Sequence, residues 1–270
     1  MLSLIKSWYN GYRYFKSHGT KVYTPVSVFS FLETGQFDNY WFSTATPTFA
    51  IDLIKRNRFP VADFDQGIIT GEEIEIAHDI QTIDIPTLLF QTGYLTIMEH
   101  DEQHQTFLLG FPNEEVRRSF LENMLFSFSE SNPSEVHSCL CHLLQYLNED
   151  DLSGFFVVFN TILASIPYHI HEKSEGYYHS LFYLFVKTLG FRSESEISTN
   201  QGRIDMVVKT KHSIFIFEFK VNKTAKEALA QITHKSYHRQ FMLDSRKLFL
   251  VGVNFDTQSR TLNDWTVTTI

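Results

Sequence analysis

The spacing of apolar residues along the chain predicts two regions of different architecture. Before about residue 150 the pattern is mixed, with strand-like alternation around a turn at Gly93 and a hairpin partner in TFLLGFP. Helices are predicted after Asn113 and after Ser134, and a third helix, DLSGFFVVFNTILASIP, ends at a proline that cannot continue it. We therefore expect a mixed α+β, largely helical accessory region at 1–149.

From about His171 onward the pattern becomes more regular. EGYYHSLFYLFVKTLG predicts a helix, and the runs FRSESEIS, RIDMVVK and SIFIFEFKV predict three strands. TAKEALAQITHKSYHRQF predicts a further helix, and KLFLVGVNF predicts a buried strand. The predicted order is αβββαβ, which indicates an α/β domain at 150–270.

Composition limits the class of protein. A chain of 270 residues with 43% hydrophobic content can bury a sizeable core, and its formal net charge of -8 argues against indiscriminate nucleic-acid binding. Cys139 and Cys141 lie one residue apart on a predicted helix and cannot form an ordinary disulfide framework. No segment has the apolar length of a signal peptide or a membrane span. We expect a soluble, cytoplasmic protein with no membrane partner.

Three charged residues interrupt two of the most apolar predicted strands. Asp205 lies in RIDMVVK, and Glu218 and Lys220 lie in SIFIFEFKV. Because side chains alternate along a strand, Glu218 and Lys220 share one face while Phe217 and Phe219 point into the opposite layer. The charged residues therefore indicate a special site on one face of the sheet.

The hairpin between these two strands determines how the carboxylates meet. If Lys211 and His212 form a two-residue turn, Asp205 lies directly opposite Glu218. Neither Lys nor His is a preferred residue in such a turn, so a slipped register is the alternative.

Two facing carboxylates repel each other unless a cation neutralises them. Oxygen ligands favour Mg²⁺, with Mn²⁺ as a substitute, over zinc. The ammonium of Lys220 beside metal-bound water would equip the site for phosphodiester hydrolysis. The alternative is a structural ion pair of Lys220 with Asp205 or with Glu218.

The same residues carry a family resemblance. Asp205, then Glu218-Phe219-Lys220, then Gln231 on the next helix resemble the motif of the PD-(D/E)XK nuclease superfamily, and the αβββαβ order resembles its restriction-endonuclease-like core. WYNGYRY, NYWFSTATPTF with LLFQTGYLTI, and GFPNEEVRRSF resemble the downstream part of bacterial AAA-ATPase-like proteins. The chain contains no G-x-x-x-x-G-K-[ST] motif, so we expect no nucleotide hydrolysis. Residues 1–60 would be the remnant of an ATPase module, with an aromatic docking surface for a protein partner.

The resemblance implies a role for each matching residue. Asp205 and Glu218 would bind the metal, with the Phe219 carbonyl as a third ligand. Lys220 would serve the attacking water and the transition state, and Gln231 would orient Lys220, water or substrate. Glu175, on the first helix of the core, would be an additional metal ligand. The dipole of that helix alone would also favour a glutamate there.

Local charge is consistent with a nucleic-acid substrate. Lys and Arg outnumber Asp and Glu between residues 175 and 240, although the whole chain is negative. The residues predicted to contact phosphates are Arg203, Lys223, Lys226, Lys235 and Arg239. Tyr237 is expected to be packed on a helix face. We expect an Mg²⁺-dependent endonuclease acting on DNA, with RNA as an alternative substrate. The rival hypothesis is a protein-binding or effector module that keeps the nuclease fold.

Overall fold

The structure is a computed structural model of the chain and forms two compact units. It describes residues 1–13, 19–44, 47–57, 59, 63–75, 83–129, 132–166, 175–189, 192–199 and 202–270. The first unit comprises Met1–Met124 and the second Leu125–Ile270. The predicted domain starting at residue 150 stays a prediction, because compactness alone does not delimit a family domain.

The first unit combines helices with small antiparallel sheets. A three-stranded sheet has the order β3-β5-β4, and β1 pairs with β2. The β4–β5 hairpin confirms the predicted partnership of LTIME with TFLLGFP. The elements are α1 (Leu2–Tyr9), β1 (Asn10–Tyr12), β2 (Val22–Tyr23), α2 (Pro25–Thr34), a 3₁₀ helix (Trp41–Thr44), α3 (Thr48–Arg56), α4 (Asp63–Gln66), β3 (Ile68–Gly71), a 3₁₀ helix (Glu72–Glu75), α5 (Ile85–Gln91), β4 (Thr96–Asp101), β5 (Thr106–Gly110) and α6 (Glu114–Ser129), whose last residues belong to the second unit.

The segment before Gly93 corrects one prediction. IPTLLFQ, expected to be strand-like, forms helix α5. The Asp84 carboxylate accepts a hydrogen bond from the Thr87 amide at 2.7 Å and so caps the helix, and a proline occupies the first turn. Leu88 and Leu89 are buried on one face, so the apolar period is helical. The strand character expected at 76–82 lies outside the described residues.

The second unit contains a five-stranded sheet with helices on both faces. The sheet order is β10-β9-β8-β7-β6, in which β8 and β9 are parallel and the other pairs antiparallel. The elements are α7 (Pro133–Asn148), α8 (Leu152–Ser165), α9 (Glu175–Thr188), β6 (Arg192–Thr199), β7 (Gly202–Lys209), β8 (Ser213–Val221), α10 (Ala225–His234), a 3₁₀ helix (Tyr237–Phe241), β9 (Lys247–Asp256) and β10 (Thr261–Thr269). From α9 to β9 the elements follow the predicted order, while β10 was not predicted.

Alternation along β8 sends its side chains into two different layers. Ile214 and Ile216 join Ile232 of α10 in one apolar cluster. Phe217 and Phe219 each lie 4.9 Å, between ring centroids, from Phe182 of α9 on the other face. Even-numbered residues of β8 therefore face α10, and this is the face that carries Glu218 and Lys220.

Helix α10 is shorter than predicted. It ends at His234, because Ser236 takes a left-handed backbone conformation with φ 52° that cannot continue an α-helix. The chain then turns into the 3₁₀ helix that contains Tyr237 and Arg239.

Two predictions about the chain's environment can be compared with the described residues. Cys139 and Cys141 lie on α7 as free thiols. Within the described ranges, no helix combines the length and apolarity that crossing a membrane requires.

Candidate active site

The hairpin register that aligns the charged residues is confirmed. Strands β7 and β8 pair from Lys209 opposite Ile214 to Met206 opposite Phe217, as a turn centred on residues 211 and 212 requires. The Thr210 hydroxyl accepts a hydrogen bond from the Ser213 amide at 3.0 Å. This side-chain bond stabilises a turn whose central residues have no intrinsic preference for it.

Asp205 lies one residue beyond the last pair of this ladder. Its Oδ2 atom accepts a hydrogen bond from the Phe219 amide at 2.8 Å, so a carboxylate takes the place of a backbone acceptor. The register of this ladder, continued by one position, sets Asp205 opposite Glu218, and the bond to the Phe219 amide lies one residue farther along β8. This bond still holds the Asp205 carboxylate against the strand that carries Glu218.

Lys220 bridges two oxygen atoms of its own strand. Its Nζ donates to Glu218 Oε1 at 3.2 Å and to the Phe219 carbonyl at 2.9 Å. The Glu218 side chain is only 1% exposed and that of Lys220 13% exposed. The Glu218–Lys220 ion pair considered from the sequence is therefore present, and it compensates a buried charge.

Gln231 reaches the same carboxylate from helix α10. Its Nε2 atom donates a hydrogen bond to Glu218 Oε1. The approach depends on Gly252, the β9 partner of Glu218, because a Cβ atom there would lie 2.6 Å from the Leu229 amide nitrogen and would also overlap the Ala225 carbonyl oxygen. A glycine at this position lets α10 lie directly on the sheet above Glu218.

The first turn of α10 is fixed by hydrogen bonds that were not predicted from the sequence. Thr224 and Glu227 form a capping box, and the Ala225 amide donates to Asp264 Oδ2 of β10 at 2.7 Å. Asn254, the β9 partner of Lys220, accepts a bond from the Lys223 amide at 2.9 Å through Oδ1. These bonds determine where Gln231 lies.

Tyr237 lies close to Gln231 and packs in the apolar core. It is 2% exposed within the apolar cluster, as the prediction of a packed tyrosine requires. Burial raises the pKa of Tyr237, and the nearby Glu218 and Asp205 carboxylates raise it further, while the Gln231 side chain opposes the shift. The sequence carried no signal for this contact, because it depends on the end of α10 before Ser236.

The predicted phosphate-contacting residues lie along and beyond α10. Lys223 and Lys226 are exposed around the start of the helix, Lys235 follows its end, and Arg239 is exposed in the 3₁₀ helix. The side chains of Arg203 in β7 and of Glu175 at the start of α9 lie outside the described residues. The roles expected for these residues stay predictions.

The donor atoms at this end of the sheet fit a hard divalent cation. The carboxylates of Asp205 and Glu218 and the Phe219 carbonyl supply oxygen atoms, which Mg²⁺ and Mn²⁺ prefer. With Lys220 included, the three charged side chains sum to one negative formal charge, which a cation would offset. Among the residues that the structure describes, no cluster of three or more His, Cys, Asp or Glu side chains is arranged to hold a metal. A metal bound here would therefore need the Phe219 carbonyl, or a residue outside the described ranges, as a ligand in addition to the two carboxylates.

Comparison with known proteins adds a family to this geometry. Residues 173–265 match the family model of the PD-(D/E)XK nuclease superfamily. The match is a similarity over about one third of the chain. The recognition made from Asp205, Glu218, Lys220 and Gln231 is confirmed, since all four lie within the matched residues. PD-(D/E)XK nucleases generally use divalent metals, in keeping with the donor atoms described above.

One curated relative extends the similarity beyond the PD-(D/E)XK segment. It is described as an uncharacterized protein in the vnfD 5′ region of Azotobacter chroococcum mcd 1, and it is 33% identical over 267 residues. The alignment covers 96% of this chain and 51% of the relative, so the chain spans about half of that protein's length. No solved structure matches the chain. The predicted resemblance to AAA-ATPase-like proteins stays a prediction.

Proposed function

We propose that the chain is an Mg²⁺-dependent endonuclease that hydrolyses phosphodiester bonds in DNA, on a restriction-endonuclease-like core at 150–270. One observation carries the proposal. Glu218 Oε1 accepts hydrogen bonds from both Lys220 and Gln231, and the Asp205 carboxylate of β7 accepts one from the amide of Phe219, the residue after Glu218 on β8. Residues separated widely in sequence thus meet at one end of the β7–β8 hairpin, in the combination that the PD-(D/E)XK superfamily uses. The observed order from α9 to β9 supports the proposed core.

Each residue has a role that its contacts support. Asp205, Glu218 and the Phe219 carbonyl would hold Mg²⁺, with Mn²⁺ as a substitute and Glu175 as an additional ligand. When bound, the cation lowers the pKa of a coordinated water and offsets charge on the phosphoryl group. The hydrogen bond from the Phe219 amide holds Asp205 in place, and Gln231 holds Glu218, so both carboxylates are oriented before substrate binds.

Lys220 is suited to act on the substrate itself. An ammonium group has three N–H donors, and two of them bind Glu218 and the Phe219 carbonyl. The third can donate to the attacking water or to a non-bridging oxygen of the phosphate, where negative charge develops in the transition state. The two existing bonds limit the freedom of the side chain, so little reorganisation is needed at the moment of reaction.

A cleavage assay with matched variants tests this proposal. Linear, supercoiled and single-stranded DNA, with RNA alongside, would be incubated with the protein in Mg²⁺ and in Mn²⁺. Glu218→Gln keeps the size of the side chain and an oxygen for the bonds from Lys220 and Gln231, but removes its charge. Lys220→Met removes the ammonium and keeps the aliphatic stem. Lys247→Met is the control, because Lys247 forms an exposed ion pair with Asp150 elsewhere in the second unit.

We expect cleavage by the wild type and by Lys247→Met, and a loss of at least about 100-fold in Glu218→Gln and Lys220→Met. Melting curves must show that each variant is folded, because breaking the buried Glu218–Lys220 pair costs roughly 3–5 kcal/mol. Equal cleavage by wild type and Glu218→Gln would exclude Glu218 from the reaction. A folded wild type that cleaves no substrate in either metal would contradict the nuclease proposal for this chain.

A second candidate function is supported by an apolar surface in the first unit. Helix α2 exposes Val26 by 60%, Phe29 by 72% and Leu32 by 66%, and their spacing places them on one face. Exposed apolar surfaces of this kind often mark contacts with other proteins. This observation favours the protein-binding module, for which the absence of cleavage by a folded wild type would be the expected result.

A further inference from the structure

A polar cavity includes Asn254, the β9 partner of Lys220, in its lining. Its volume is about 430 Å³, and the side chains that line it include Asn222, Lys223, Asn254, Asp256, Gln258 and Asn263. Asn254 is the β9 partner of Lys220, so the cavity begins at the neighbouring position on the same face of the sheet. It therefore opens beyond the carboxyl ends of the parallel strands β8 and β9, which is where α/β proteins commonly bind ligands.

Hydrogen bonds among its walls form the cavity without a ligand. Asn222 has a left-handed backbone conformation, with φ 54°, and its side chain donates to Thr257 Oγ1 at 3.0 Å and accepts from the Thr257 amide at 3.0 Å. Asn254 accepts from the Lys223 amide, which ties the β8–α10 connection to β9. Asp256 accepts from the Gln258 amide at 2.7 Å and so orders the β9–β10 turn.

A bulge in β10 supplies one wall. The β9–β10 register shifts between Leu262 and Asp264, so Asn263 is an extra residue on its strand. The pKa of the Asp256 carboxyl is lowered chiefly by the Gln258 amide and then by Ser259, with a smaller contribution from the Asn263 side chain. Asp256 therefore stays ionised beside the amide groups, and the cavity contains both donors and acceptors.

The chemistry of the lining indicates the class of ligand. Small-molecule pockets of this size are usually lined by apolar side chains, whereas this cavity is lined by amides, a hydroxyl, a lysine and a carboxylate. A base and its sugar offer the donors and acceptors that amide groups recognise, while a phosphate pairs with lysine. The ionised Asp256 disfavours a bare anion deep in the cavity, so the uncharged part of a nucleotide suits it better.

We propose that this cavity binds the nucleotide that adjoins the phosphate under attack. Lys223 contacts the backbone of the strand, and Gln258 and Asn263 contact the sugar or base. Lys223 lies three positions after Lys220, so their Cα atoms are at most about 11 Å apart. The inference rests on the proposed nuclease function and assigns a substrate-positioning role to residues outside the PD-(D/E)XK motif.

A binding experiment tests the cavity without requiring cleavage. Fluorescence anisotropy of a short, dye-labelled single-stranded DNA, with an RNA of the same sequence in parallel, would be measured at low salt. The protein is the full chain carrying Glu218→Gln, so that the probe is not cleaved. The test variant adds Gln258→Ala and Asn263→Ala, two exposed residues on the rim of the cavity. The control adds Gln145→Ala, an exposed glutamine on α7.

We expect the Kd to rise about tenfold in the double variant, as the loss of two hydrogen bonds predicts, and to change less than about twofold in the control. An unchanged Kd in the double variant, or no binding of either probe, would overturn the cavity proposal. Neither result would overturn the proposed nuclease, which depends on cleavage by the wild type and on its loss in Glu218→Gln and Lys220→Met. Melting curves of both variants exclude a general loss of folding as the cause.

Discussion

Single side chains in the second unit orient one another through a short hydrogen-bonded chain. Gln231 and Lys220 both donate hydrogen bonds to Glu218, and Tyr237 lies close to the Gln231 side chain. Lys220, the outermost of these residues, is exposed enough to contact a substrate, while Tyr237 is buried in the apolar cluster. The chain therefore links the position of the proposed reactive lysine to the packing of the core.

Tyr237→Phe tests whether this chain positions the site. The variant keeps the buried ring and removes only the hydroxyl that lies close to Gln231, so we expect stability to fall by about 1 kcal/mol or less. If Gln231 loses its orientation, kcat for DNA cleavage should fall several-fold while KM changes little. Tyr94→Phe, a buried tyrosine of the first unit, is the control. Loss of stability with an unchanged kcat would show that Tyr237 is only structural.

Glu115 is a buried carboxylate outside the candidate site. It is 0% exposed, and its Oε1 atom accepts hydrogen bonds from the Ser27 hydroxyl and from the Trp41 amide, both at 2.9 Å. Burial raises the pKa of Glu115 above its usual range, and these two bonds oppose the shift only in part. An ionised Glu115 therefore lowers the stability of the first unit at neutral pH.

Glu115→Gln should stabilise the protein in a pH-dependent way. The amide oxygen can accept both hydrogen bonds, and no charge is buried. Because the pKa of Glu115 is raised in the folded state, its ionisation destabilises the wild type at pH values above the unfolded-state pKa. Protonation of Glu115 restores this stability as the pH falls. We expect the melting temperature of the variant to exceed that of the wild type at neutral pH, with the difference shrinking in mildly acidic buffer. A difference that is constant with pH would contradict this account.

At the scale of elements, the contact of α10 with β9 builds the site. The capping box fixes where the helix begins, Gly252 lets it approach the sheet, and Ser236 ends it so that Tyr237 turns back beneath Gln231. The motif residues of β7 and β8 would lack their partner Gln231 if this helix were displaced. The β9–β10 turn and the bulge in β10 then add the cavity that includes Asn254 in its lining.

Gly252→Ala is expected to damage both stability and activity. The added methyl group would overlap the backbone of α10, and relieving such an overlap costs roughly 1–3 kcal/mol. Moving the helix away from β9 would also separate Gln231 from Glu218, so cleavage should fall by more than the loss of folded protein explains. Gly35→Ala is a useful contrast, because a Cβ atom there meets nothing within 4 Å and the cost comes from its left-handed backbone alone. Full activity in folded Gly252→Ala would show that the close approach is not needed.

At the scale of the whole molecule, the aromatic N-terminal region packs within its own compact unit. The Tyr12 hydroxyl donates to the Gly93 carbonyl at 2.9 Å, and the rings of Trp41 and Tyr94 lie 5.4 Å apart between centroids. Tyr12 and Trp41 therefore contribute to the packing of the first unit, in addition to the apolar face that α2 exposes.

Deletion of residues 1–60 tests this packing. The deletion would expose Tyr94 and remove the Ser27 and Trp41 donors from buried Glu115. We expect lower solubility, increased binding of a hydrophobic dye and loss of the first unit's contribution to the melting curve. The triple variant Val26→Ser, Phe29→Ser, Leu32→Ser is the control, because it alters the exposed face and spares the core. An unchanged melting curve after deletion would contradict the proposed packing.

Local patterns along the chain were enough to predict the features that depend on strand periodicity and turn position. Alternation along SIFIFEFKV predicted that Glu218 and Lys220 share one face, because a strand has a strict period of two. A turn at Lys211 and His212 predicted the β7–β8 register that the structure confirms. The motif spacing was enough to recognise the superfamily. Local patterns misassigned α5, since a short apolar run fits a helix or a strand equally well.

Packing between separate elements brings together the distant residues that complete the site. Tyr237, Gly252 and Asn254 join it because α10 lies on β9 and ends at Ser236, and no spacing in the sequence encodes that approach. The Asp205 bond to the Phe219 amide likewise arises where the β7–β8 ladder ends. The physical reason is the same in each case: periodicity sets which way a side chain points along its own element, whereas its partners depend on how separate elements pack together.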